Sequence, residues 1–94
     1  MKRYISMYLN MAPETFERMR MNIDNKSWQE LAVNAHSLKP QADYMGISAL
    51  KELLIEIENK LKSGQIEGME ALLMEAKSIH DESEVFLQDV INND

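Results

Sequence analysis

Residues Ala35–Glu58 read AHSLKPQADYMGISALKELLIEIE, and the spacing inside this stretch decides the fold. Ala35, Leu38, Ala42 and Met45 recur at three- and four-residue intervals, and Trp28 and Leu31 extend the same line upstream. That period places them on one face of an α-helix. Past Gly46 the pattern restarts in Leu50, Leu53, Leu54, Ile57 and Leu61. Gly46 suits a left-handed helix cap, and Ser48 suits the start of the next helix. Two apolar-striped helices joined this tightly must lie antiparallel.

Working outward, Ser27 and Glu30 have the spacing of a capping box that opens the His36 helix. Upstream, Lys2–Asn10 predicts a short leading helix with Tyr4, Ile5 and Tyr8 on one side. Pro13 then opens a separate helix, with Glu14 in its first turn and Phe16, Met19 and Ile23 as its stripe. Downstream, Ser63-Gly64 stops the leucine-rich helix. A last helix runs from about Glu67 to Ile91, with Met69, Leu72, Leu73, Ala76, Ile79, Ser83, Phe86, Leu87 and Val90 facing inward. No segment alternates as a strand does. The expected fold is all-α: an up-down antiparallel four-helix bundle with a short N-terminal helix, forming one domain over residues 1–94.

Composition narrows the function. The chain has 94 residues, 45% of them hydrophobic and 28% charged, enough for one modest core. A net charge of −6 argues against a nucleic-acid partner, which needs clustered Lys and Arg. The absence of cysteine excludes disulfides and thiolate metal sites. No apolar run approaches the roughly 20 residues of a membrane helix. The basic start MKRYISMYLNM turns polar too early for a signal peptide. A cytoplasmic monomer is expected.

His36 is the candidate reactive group. On a helical wheel it lies roughly 120° from the centre of the apolar arc, so it is exposed or at the boundary. Ala32, one turn earlier, leaves the ring open from that side. Lys39 follows on the same side, where its charge can hold an anion. An ordinary imidazole, with a pKa of about 6.5, is available as a nucleophile near neutral pH.

Ala35-His36-Ser37-Leu38-Lys39, then Gly46, Leu50, Leu53 and Glu58, resemble the signature of the histidine-containing phosphotransfer (HPt) domain. The resemblance is close over about 30–58; elsewhere the helices agree only in number and order. It implies a phosphorelay intermediate rather than an autonomous enzyme. His36 would accept a phosphoryl group from a receiver-domain aspartyl phosphate and pass it to another receiver. Lys39 would stabilise the phosphoryl oxygens. Ala32, Val33, Pro40 and Asp43 would belong to the docking surface, and Gly46 to the structural motif. The partners implied are response-regulator receivers or a hybrid sensor kinase. No cofactor or metal is expected on this chain, with Mg2+ on the receiver. The departure is Pro40, which stands where the family usually has glycine. It removes the N–H that would bond the His36 carbonyl, so a kink or local widening is expected there.

Two alternatives remain open in the sequence. A histidine-kinase phosphoacceptor hairpin also carries a proline after its histidine, but Ser37 and the position of Pro40 fit it poorly, and Gly46 has no role in it. A helical interaction module without phosphoryl chemistry draws weak support from eight methionines. His80 with Glu84 has the spacing of one edge of a metal site, yet two ligands are not a site, and a solvated face is expected. Glu56-Glu58 and Asp81-Glu82 likewise read as solvated surface.

Overall fold

The structure is a computed structural model that describes residues 2–92. Four helices make up the bundle: α1 (Lys2–Asp24), α2 (Trp28–Tyr44), α3 (Ser48–Lys62) and α4 (Met69–Asn92). Each packs on two neighbours, α1 and α3 both on α2 and α4. Ile5, Tyr8, Phe16 and Met19 of α1 meet Leu31 and Leu38 of α2, Leu50 and Leu54 of α3, and Met69 and Leu73 of α4 in one core. The all-α up-down bundle is as expected.

The helix break expected before Pro13 is absent: α1 is continuous, with Pro13 inside it. The reason is the uninterrupted stripe of Ile5, Tyr8, Ala12, Phe16, Met19 and Ile23, all buried. Pro13 lies beside this stripe and is exposed. Each large apolar side chain buried in the stripe contributes about 1.5–3 kcal/mol, so the stripe outweighs the roughly 3 kcal/mol an interior proline costs. The short leading helix is therefore the first half of α1.

Three helix ends share one chemistry, two of them the expected stops at Gly46 and Gly64. At Gly46 the glycine takes φ 75°. Its N–H bonds the Asp43 carbonyl, and the Ile47 N–H bonds that of Ala42 at 2.9 Å. This is the Schellman closure. The same pairing ends α3 at Gly64, and ends α1 at Lys26, which adopts φ 57° without being glycine. The closure of α1 explains why the expected Ser27–Glu30 capping box does not form. The Ser27 N–H is committed to the Asn22 carbonyl at 2.7 Å, so Glu30 cannot reach it and accepts from Asn22 Nδ2 instead. Ser27 makes no side-chain cap, and at α3 the cap position is Ile47 rather than Ser48.

The inward face of α4 also differs from expectation. His80 is fully buried and Leu87 is buried, whereas Phe86 is 68% and Val90 39% exposed. At about 1.5 Å per residue, α4 spans roughly 36 Å and α3 only about 22 Å. Past Ser83 the side of α4 that faces α3 therefore has nothing to pack on. The side facing the equally long α1 stays covered, and it carries His80 and Leu87. The Ile79–Ser83–Phe86–Val90 line is a real apolar stripe whose partner helix ends too soon.

Candidate functional site

The buried Ala35, Leu38 and Ala42 fix the rotation of α2 and turn His36 outward. Its side chain is 70% exposed. Across the α2–α3 interface stands Glu58. It falls four residues after the buried Leu54 and next to the buried Ile57, so α3 holds it at the edge of the core, 8% exposed. Its Oε2 lies 3.3 Å from His36 Nδ1, and its Oε1 lies 2.8 Å from Lys39 Nζ. One carboxylate thus bridges the two side chains that the sequence placed together. Burial alone would raise the Glu58 carboxyl. The Lys39 ammonium and the His36 ring outweigh it and hold the pKa below the ordinary carboxylate value.

The expected surroundings are distributed as follows. Ala32 is half-buried and lines a shallow groove with Trp28, Leu61 and Glu58. Val33 and Pro40 are exposed on the outer face of α2, on either side of His36. Asp43 pairs with Lys51 at 2.9 Å. Gly46 is ten residues from His36 and serves the helix end. The helix stays α-helical through Pro40 to Tyr44, without a widened turn.

Glu58 is thus at the edge of the core and not the solvated surface expected from the sequence. A signal existed: Leu54 and Leu61 flank Glu58 at four- and three-residue spacing, so it sits on the margin of the apolar stripe. A carboxylate at that margin needs a cationic partner from the neighbouring helix.

His80 is also corrected, from solvated face to core. Its Nδ1 lies 2.7 Å from the Tyr8 hydroxyl, and the Phe16 ring centroid is 5.2 Å from its own. Nε2 faces Glu84 Oε2 at 3.2 Å, off the axis of a good hydrogen bond. Burial lowers its pKa, against the raising effect of Glu84 and Asp81. Burial, and secondarily Glu84, push the Tyr8 phenol upward, so Tyr8 stays protonated and donates to the imidazole. The physical reason is phase: His80 is four residues after Ala76 and seven before Leu87, both buried. Among the described residues no group of three or more His, Asp or Glu is placed to hold a metal ion. No described helix is long and apolar enough to cross a membrane.

A protein-family model described as the Hpt domain matches residues 3–90. No curated protein and no solved structure is significantly similar to the chain.

Proposed function

The chain belongs to the Hpt domain family, and on that footing we propose that His36 is the phosphoryl acceptor and donor of a phosphorelay. Its partners are then receiver domains, with or without a hybrid sensor kinase. The observation that carries this reading is an exposed imidazole whose Nδ1 faces a nearly buried carboxylate.

A carboxylate only accepts, so this contact favours the tautomer with the proton on Nδ1. Nδ1–H donates to Glu58, which leaves the lone pair on Nε2, the ring nitrogen directed away from the carboxylate. Nε2 attacks the phosphorus of a receiver's aspartyl phosphate. The N–P bond forms, the acyl O–P bond breaks, and the aspartate leaves as carboxylate. The Nδ1 proton stays in place, and Glu58 stabilises the positive charge that develops on the ring. Lys39 is held beside the acceptor by Glu58 Oε1 and is available to the phosphoryl oxygens. Phosphoryl transfer asks little of the acceptor beyond position and charge. The magnesium such transfer uses is assigned to the receiver, and this chain is a carrier in the reading.

Intact-protein mass spectrometry after incubation with phosphoramidate or phosphorylated receivers tests the proposal. Wild type gains one acid-labile phosphoryl group, and His36→Gln gains none while keeping its helicity. Label on His36→Gln moves the acceptor elsewhere. No label from any donor on wild type favours the helical interaction module.

A further inference from the structure

Pro40 is the residue in α2 that the fold does not explain. It is exposed, one turn after His36, in the interior of a helix whose neighbours Leu38 and Ala42 are fully buried. A proline there contributes nothing to the core and removes one main-chain hydrogen bond. The carbonyl that loses its donor is that of His36 itself. No side-chain donor among the described residues replaces it: the nearby Ser37 hydroxyl is spent on the Asn34 carbonyl at 2.9 Å. A local rule of helix construction is broken on the exposed face, at the acceptor residue, and such breaks concentrate at functional positions.

We propose that Pro40 is a specificity determinant of the His36 site, acting by leaving the His36 carbonyl open as an acceptor for a donor group on the docking receiver. This rests on the phosphotransfer reading above. A receiver that covers Pro40 and Val33 strips water from that carbonyl. A partner with an N–H or O–H directed at it completes the bond. A partner without one leaves a polar group buried and unpaired, and is rejected. The carbonyl thus sorts partners at a position that need not alter the chemistry at Nε2.

Pro13 of α1 provides the internal control. It too is an exposed mid-helix proline, but it borders the α1–α4 groove with Phe16 and Met74, on a helix that does not carry His36.

The test separates the carbonyl from the ring and from stability. Four proteins are compared: wild type, Pro40→Ala, Pro13→Ala, and a semisynthetic chain with lactic acid at position 40. The alanine restores the N–H. The backbone ester removes the ring but keeps the carbonyl free. Each is labelled by phosphoramidate and by the complete set of phosphorylated receiver domains of the source organism. Both alanine variants melt at higher temperature than wild type, and all four label equally with phosphoramidate. Receiver-driven labelling falls tenfold or more in Pro40→Ala only, and is retained in the ester. Equal or faster receiver labelling of Pro40→Ala overturns the proposal. So does equal loss in the ester, which assigns the effect to the ring alone. A receiver set that labels none of the proteins while phosphoramidate labels His36 overturns it as well. Failure of phosphoramidate to label wild type instead removes the phosphotransfer reading beneath it.

Discussion

At the scale of single residues, the proposed chemistry turns on Glu58. Glu58→Gln keeps the shape and an acceptor oxygen but removes the charge that bridges His36 and Lys39. Phosphoramidate labelling of His36 is expected to slow roughly tenfold, since the developing imidazolium loses its counter-charge. Stability responds to pH with a defined sign. The folded pKa of Glu58 is lowered, so the unfolded chain binds its proton first. The stabilisation is complete above the ordinary carboxylate range and is lost as pH falls through the folded value. In urea titrations wild type loses about 1 kcal/mol more than Glu58→Gln between pH 6 and pH 3. Parallel pH profiles for the two proteins would remove Glu58 from the pair. His36 and Lys39 were legible in the sequence because they lie within one helical turn. Glu58 is far along the chain, and only the α2–α3 register brings it to them.

At the scale of elements, the sequence reads well where helices are of matched length and poorly where they are not. The α2–α3 hairpin, with its apolar stripes and its Gly46 turn, follows from spacing alone. The inward face of α4 does not, because periodicity marks every apolar line on a helix and cannot say where the neighbouring helix stops. A different limit hides His80: its phase with Ala76 and Leu87 marks it as core, but its acidic neighbours Asp81 and Glu82 make the segment read as solvated. Pro13 shows the converse: a local break signal overridden by a stripe that runs through it. The two lines on α4 can be told apart by substitution. Leu87→Ala, on the covered face, is expected to destabilise by about 2–4 kcal/mol. Phe86→Ser, on the uncovered one, changes stability by about 0.5 kcal/mol or less. Chemical denaturation of the two variants measures this, and a larger loss for Phe86→Ser would restore the stripe read from the sequence.

For the whole molecule, the bundle separates the residues that hold it together from those of the proposed phosphoryl site. The buried Tyr8–His80 pair joins α1 to α4, while His36, Lys39 and Glu58 join α2 to α3 at the surface. The bundle is 45 Å long and no more than 21 Å across, and the two clusters share no residue. Their contributions to stability should then be independent. Tyr8→Phe leaves the His80 Nδ1 buried without a donor and is expected to cost about 1–3 kcal/mol. Glu58→Gln costs about 1 kcal/mol at neutral pH. The double variant should lose the sum of the two, within about 0.5 kcal/mol. Labelling of His36 should be unchanged by Tyr8→Phe and equally slowed in Glu58→Gln and in the double variant. Measured together, denaturation midpoints and labelling rates decide whether scaffold and site are separable. A coupling well above that margin, or a labelling defect in Tyr8→Phe, would mean that the α1–α4 pair sets the α2–α3 register, and that the core histidine acts on the surface one through packing.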